Sequence, residues 1–454
     1  MSIRLQRLFL IRVYVLITLI SLFVIFISRG PIEGDARNSG DYVPTSDWYG
    51  PIPPLLYGHW PFSGENWDFS LSLVQVLFFC IGFFLLLDFR RENFGLLISL
   101  LQLGAYWVGI IFSSQLWRDA TLLSFTIIGI GFIKFAISAT RLLKICFFSI
   151  GFFFVLIGAC CKFIYSPIIA LLILLFVGRE IFLTKKIFAS FVLIFTFVSL
   201  APFFLSQLVS TSLGLQKSFP EQQPVIFDLT SIYCWGSSLE SNQLAIEYLR
   251  ITKKQNYPDP SICSSLEPSG WDTLRTDRPL WQYSSPLRPL ANEKKVKELI
   301  RNWLTLILKH PQEYIEVKII HSTQVVTMAN AIGPRWERSN SLLQENPMIF
   351  QLSNFLTIPA QILDKSRIFS LGFLLILTIT CLLRFSFTDQ TSLSSALRKE
   401  PHLFLLALLL VFQLTLTTLS FVSSNGRYTF PFILISLIYL LNIINEKKYL
   451  EIKA

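Results

Sequence analysis

Charge is scarce in this sequence. Only 15% of its 454 residues are Asp, Glu, Lys or Arg, against about 25% in an average globular protein. It has four His and seven Cys, and no spacing among them resembles a zinc site. No Gly-rich phosphate loop, internal repeat or low-complexity tract is present. These absences argue against a soluble nucleotide-binding enzyme and a zinc domain, and they weigh against the repeat architecture common in transporters. What fills the chain instead is apolar: 52% of its residues are hydrophobic, gathered in runs suited to a hydrocarbon core of roughly 30 Å. The pattern is that of an all-α polytopic membrane protein.

Ten spans are expected, near 9–27, 71–89, 94–112, 120–138, 145–160, 163–178, 187–208, 368–384, 402–421 and 430–445. The pair 145–160 and 163–178 consists of two short spans joined at Cys160-Cys161-Lys162. Arg4, Arg7 and Arg12 come at the start of the first apolar segment, and no small-residue cleavage site lies near Arg29-Gly30. The first segment therefore reads as a retained helix. The net charge of +10 is topological rather than a nucleic-acid footprint. Arg90, Arg91, Arg141, Lys144, Lys185, Lys186, Arg398 and Lys399 crowd the short links of one side, which becomes the cytoplasmic side together with both termini. Three parts follow: a transmembrane module over 1–208 with a first outer loop at 28–70, a mixed but mainly helical extracytoplasmic domain over 209–367, and C-terminal transmembrane helices over 368–454.

Two of the cysteines, Cys234 and Cys263, fall in the outer domain, where an oxidising compartment permits a bridge. The sequence leaves open whether they are joined. Helical spacing in ANEKKVKELIRNWLTLILK, followed by Pro311, predicts one helix ending near Lys309 and another starting at Pro311.

The unusual polar residues collect on the outer side. Glu33, Asp35, Asp41 and Asp47 share the first outer loop, and Asp119 opens the fourth span. A carboxylate at a hydrocarbon boundary is costly unless it is paired, solvated or used, although Asp119 also suits a helix cap. WYGPIPPLLYGHW is too rich in proline for a regular span and reads as a short surface helix from Pro53-Pro54. All ten Trp residues map to the outer half, where broad aromatic faces suit sugars as well as an interfacial belt. Arg427, at the mouth of the last span in SSNGRYTFPF, presents a planar fork that grips phosphate or simply snorkels. Lys162 supplies a second cation at another outer turn.

Taken in order, these residues resemble the C-type (GT-C) glycosyltransferase superfamily, multi-spanning enzymes that use polyprenyl-phosphate-linked sugars, and in particular its poorly characterised bacterial integral-membrane members. Asp35 in PIEGDA is similar to the family's Asp after the first span, and SDWYGPIPPLL to its following Asp-Trp-His-Pro-Pro-like segment, with Tyr49-Gly50 where the family has His. Arg118-Asp119 matches a basic-Asp pair opening the fourth span, and FDLTSIYCW at Asp228 an Asp-Leu-Ala-like stretch. HPQEY at His310, Pro311 and Tyr314 matches a His-Pro-x-x-Tyr helix start, and Arg427, Tyr428 and Pro431 the final Arg-Tyr-x-x-Pro.

The resemblance implies inverting sugar transfer from a lipid-phosphate donor to a glycan, lipid or protein acceptor on the extracytoplasmic face of the plasma (inner) membrane. Asp35 would act as general base, with Asp47 and Asp119 positioning the acceptor or binding a divalent cation, magnesium or manganese. Arg427 and Lys162 would hold the donor phosphate, and Arg118, Trp48, Tyr49, His310 and Tyr428 complete the expected substrate contacts. Two other readings remain from the sequence: an outer-face glycan polymerase or ligase, and a non-enzymatic transporter or flippase. Acids concentrated in the first loop favour the transferase over the ligase, and the missing repeat weighs against the transporter.

Overall fold

A computed structural model describes residues 3–28, 55–56, 67–87, 96–115, 118–181, 187–215, 219, 222–252, 263, 292–327, 347–368, 370–387, 401–420 and 429–453. Among these the structure is helical, without a strand. A first group comprises α1 (Ile3–Ser28), α2 (Trp67–Leu86), α3 (Leu96–Ser113), α4 (Arg118–Ile137), α5 (Arg141–Cys161), α6 (Ser166–Ile181) and α7 (Ile187–Ser212). A smaller unit follows: α8 (Gln222–Trp235), α9 (Leu239–Leu249), α10 (Glu293–Lys309) and α11 (Pro311–Thr327). The chain then returns to the first group through α12 (Pro347–Lys365), α13 (Leu371–Phe387), α14 (Pro401–Ser420) and α15 (Phe430–Lys453).

Two hydrophobic cores separate these groups. The larger draws on α1–α7 and α12–α15. The smaller is built from Val225, Phe227, Leu229, Ala245, Leu249, Val296, Leu299, Leu306 and Val317. At the centre of the larger bundle lies α4, buried at every residue from Asp119 to Gly131. By contrast α5 exposes Leu142, Ile145 and Phe153, and α7 exposes Leu193, Phe204 and Leu208. A helix apolar all round with leucines outward belongs in lipid. Among the described residues, three helices are long and apolar enough to cross a membrane: Arg118–Ile137, Arg141–Cys161 and Leu193–Ser212. Apolar stretches of 10–17 residues, among them Leu10–Phe26, Ser70–Leu86, Leu97–Ser113 and Phe430–Ile444, fall at the positions of the other expected spans.

Glycine permits the tightest contacts. A Cβ on Gly129 would lie 2.7 Å from the Gly151 carbonyl oxygen, and one on Gly151 equally close to the Gly129 oxygen, so α4 and α5 touch backbone to backbone. Gly82 of α2 sits against the Ile127 and Ile128 backbone. Gln75, midway along α2, meets Thr121 in the first turn of α4, and Lys134 Nζ donates to the Leu86 carbonyl at 2.7 Å near the ends of both helices. These two helices therefore run parallel. Lys134 thus serves the carbonyl end of α2 rather than standing at mid-depth in its own span.

The pair expected at 145–160 and 163–178 forms as two helices, α5 and α6, separated by a break at Lys162 (φ −151°, ψ 79°) and a one-turn 3-10 segment Phe163–Tyr165. One expected boundary changes. The expected outer domain, 209–367, also included α12, yet Leu356 and Ala360 belong to the larger core and Trp107 Nε1 donates to the Leu356 carbonyl at 2.8 Å. The one-sided pattern of α12, with Met348, Phe355 and Ile362 exposed, hid it from a search for uniformly apolar runs. The two helices expected on either side of Pro311 form as anticipated, α10 capped by Asn292 Oδ1, which accepts from the Lys294 and Lys295 amides.

Candidate functional site

One end of the large bundle brings Arg118, Asp119 and Lys162 together. Thr18 of α1 meets Cys80 of α2, and Tyr14 meets Phe84; α1 therefore runs antiparallel to α2 and ends where α2 begins. The start of α15 packs there too, through Phe430 on Phe112 (ring centroids 4.7 Å apart) and Phe432 on Tyr165 (4.6 Å). Gln413 Nε2, about two turns before the end of α14, donates to the Thr429 carbonyl at 3.2 Å. Hence α1, α3, α5 and α14 end, and α2, α4, α6 and α15 begin, at the same end of the bundle.

Asp119 sits in the first turn of α4, its side chain 1% exposed. Its Oδ1 accepts from Lys162 Nζ at 2.6 Å, and Lys162 is itself only 9% exposed. The ammonium also lies 5.5 Å from the Tyr165 ring centre, a cation–π distance. No hydrogen bond to Asp119 Oδ2 forms among the described residues. Asp119 is therefore an ion-pair partner across the α5–α6 turn rather than a cap for its own helix. Lys162, expected to face a donor phosphate, has its charge matched by Asp119. The break at Lys162 is what brings its side chain back over α4, because a continuous helix would carry it onward.

The turn before α4 is fixed by Gln75. With its amide oriented to satisfy both ends, the nitrogen donates to the Ser113 (2.9 Å) and Gln115 (3.0 Å) carbonyls and the oxygen accepts from Thr121 Oγ1 (2.6 Å). This bond set ties the end of α3 and the first turn of α4 to α2, holding Arg118 and Asp119 in place. Arg118 is half-buried at the first position of α4.

The smaller unit contains a second buried pair. Asp228 Oδ1 of α8 lies 2.7 Å from Lys318 Nζ of α11, with side chains 0% and 8% exposed. Trp303 Nε1 of α10 donates to Asp228 Oδ2 at 3.2 Å, and the Tyr314 ring centre lies 5.5 Å from the Lys318 ammonium. Burial pushes the Asp228 carboxyl above the usual carboxylate range, while Lys318, Trp303 and Tyr314 pull it back. Burial and the neighbouring Asp228 charge raise the Tyr314 phenol. Lys318 Nζ further donates to the Thr418 carbonyl at 3.0 Å, in the last turn of α14. The ammonium thus caps a bundle helix from the smaller unit and joins the two cores. His321, one turn on, is fully buried beside Phe227, and burial, then Lys318, lowers its pKa to about 4.

Of the expected site residues, Arg118, Asp119 and Lys162 come together. His310 lies in the smaller unit, between α10 and α11, with Nε2 3.9 Å from Glu240 Oε1. Asp35, Asp47, Trp48, Tyr49, Arg427 and Tyr428 lie outside the described residues. Leu55 and Leu56 of the expected surface helix are helical, with Leu56 packed against Leu71 and Phe125; its other residues are outside the description. Asp228 and Tyr314, matched from two separate motifs, share one cluster through Trp303 and Lys318. Sequence reasoning missed Lys318 and Trp303. The available signal was a lysine four residues after Tyr314, on the same face of the helix.

Among the described residues no group of three or more His, Cys, Asp and Glu side chains could hold a metal ion; beside Asp119 the cation is Lys162. Cys234, in the last turn of α8, is joined to Cys263 by a disulfide. No family model, curated protein or solved structure matches the chain.

Proposed function

We propose that the chain is a polytopic membrane glycosyltransferase that takes sugar from a polyprenyl-phosphate-linked donor, with its chemistry at the bundle end bearing Asp119. The observation that carries this reading is the buried Asp119–Lys162 pair, which keeps one carboxylate oxygen without a hydrogen bond among the described residues. A buried carboxylate oxygen of that kind suits a substrate hydroxyl, because it gains a strong acceptor interaction without new desolvation. The flanking helix ends give further support. The segment 29–66, with Asp35 and Asp47, follows α1 and precedes α2, and Arg427 precedes α15, and all three helices have those ends at the same end of the bundle as Asp119.

The disulfide between Cys234 and Cys263 supports an oxidising, extracytoplasmic setting for the smaller unit. It agrees with the lysine and arginine asymmetry that puts both termini in the cytoplasm. In this reading Asp35 takes the proton from the acceptor hydroxyl as that oxygen attacks the anomeric carbon from the face opposite the leaving phosphate. Inversion follows. The phosphate leaves with its lipid, its growing charge met by Arg427.

The test is sugar transfer from a polyprenyl-phosphate donor by the purified protein in lipid nanodiscs. Asp35→Asn is expected to abolish transfer with folding unchanged, and Arg427→Ala to raise the KM for donor. Full activity of Asp35→Asn would remove Asp35 from the mechanism, and an unchanged donor KM would reduce Arg427 to snorkelling. Mass spectrometry of copurified lipid is expected to show a polyprenyl phosphate.

A further inference from the structure

Helices α10 and α11 carry an exposed face that neither core uses. On α10, Lys294, Lys297, Arg301, Leu304 and Leu308 follow one another at spacings of three and four, so they line a single face. All five are exposed, Leu308 by 82%, while Val296, Leu299 and Leu306 turn the opposite face into the smaller core. The face is polarised, with cations at the start of the helix and leucines toward its end.

On α11 the same spacing joins Ile315, Ile319, Ser322 and Val326. The far end of this row rests on the bundle. Ser322 Oγ lies 3.2 Å from Thr418 Oγ1, and Val326 packs so closely on Gly372 that a Cβ there would be 2.6 Å from Val326 Cγ1. The near end does not. Ile315 and Ile319 are 55% and 58% exposed. Thr418 is in the last turn of α14, whose flank exposes Leu408, Val411 and Phe412. The uncovered isoleucines thus begin one turn from the contact with α14, whose own flank is apolar. Trp303 and Tyr314, 6.3 Å apart, hold the two helices together behind these faces.

We propose that the α10–α11 hairpin seats on the headgroup layer of an anionic phospholipid bilayer. Leu304, Leu308, Ile315 and Ile319 enter the interface, and Lys294, Lys297 and Arg301 meet lipid phosphates. The Glu293–Lys297 pair, at 2.8 Å with both side chains exposed, is weak enough to exchange for such a contact. Charge and nearness to the apolar flank of α14 favour lipid over a second copy of the chain, since that surface would repel its own cations. The inference rests on the membrane-spanning reading of the bundle and not on sugar transfer.

The experiment uses the full chain with Cys146→Ser, which removes the exposed free cysteine. An environment-sensitive fluorophore is placed at Leu308→Cys, at Leu304→Cys, or at Leu239→Cys as a control on exposed α9. Each variant is reconstituted in nanodiscs of zwitterionic lipid or with added phosphatidylglycerol. Expected are blue-shifted emission and quenching by headgroup-depth spin-labelled lipid at positions 304 and 308 but not 239. Both signals should strengthen with phosphatidylglycerol, weaken several-fold at high salt, and lose their lipid-charge dependence in Lys297→Glu/Arg301→Glu.

Labels at 304 and 308 as water-exposed as that at 239 in both lipids would overturn the proposal. So would quenching indifferent to lipid charge and salt, or a blue shift that appears only with two copies per disc and so assigns the face to self-association. The readout needs no sugar donor, so its failure and the failure of the transferase reading are separate results.

Discussion

At the scale of residues, two buried ion pairs dominate, and they differ in how visible they were. Arg118-Asp119 stood out in sequence as charge at the opening of an apolar run, and Lys162 as a cation at a turn. That they meet at 2.6 Å was not visible, because the turn geometry at Lys162 decides it. Lys162→Met is expected to destabilise the protein by about 3–5 kcal/mol by leaving Asp119 charged and buried, with Asp119→Asn/Lys162→Met recovering most of that loss. Thermal unfolding in detergent measures both; a double variant no more stable than the single would show that the two do not interact.

His321 makes a pH prediction at the same scale. Its pKa falls from 6.5 to about 4 on folding, so between those values the unfolded chain holds more protons than the folded one. Stability should therefore drop as pH falls through that window, by up to roughly 3 kcal/mol. The other groups facing it, Lys318 and the Thr418 backbone, stay the same in His321→Phe. The pH-dependent part of the difference between wild type and this variant isolates the histidine, and parallel stability profiles would contradict it.

Among the elements, α10 and α11 were legible because local chemistry defines them: an Asn cap, one apolar face, and Pro311 at a first helical position. By contrast α12 was not, since its apolar residues occupy one side and its packing on α1 and α3 is a long-range fact. The contact of α4 with α5 was equally hidden, because isolated glycines in apolar helices do not announce which neighbour they admit. Gly151→Leu should destabilise by about 1–3 kcal/mol or more. The added carbons meet the Gly129 carbonyl oxygen and the Ile133 backbone, which cannot rotate away as a side chain could. Chemical unfolding in detergent is the measurement, and a neutral result would mean that α4 and α5 part without cost.

For the whole molecule the question is how a separate small core is held on a lipid-suited bundle. Lys318 supplies one tie, reaching both Asp228 and the Thr418 carbonyl. The disulfide supplies another constraint inside the small unit, across a sequence separation of 29 residues. Cys234→Ser is expected to cost roughly 2–4 kcal/mol. The loss should appear as earlier unfolding of the small unit, followed by hydrogen exchange in α8 and α9, while α4 and α5 stay protected. Simultaneous loss of protection in both groups would show that the two cores unfold as one.

Composition and the placement of charge already determined that this chain folds as apolar helices with helices long enough for a bilayer, since a chain so poor in charged residues and so rich in apolar runs has few other ways to satisfy its backbone. Local signals likewise placed the break before Pro311 and singled out Arg118 and Asp119. Which charges neutralise one another was decided by tertiary structure alone: Asp119 with Lys162 across a broken helix, and Asp228 with Lys318 between helices far apart in sequence. The physical reason is distance. Electrostatic pairing acts over a few ångströms in space, and nothing in the order of residues states which parts of the chain will come that close.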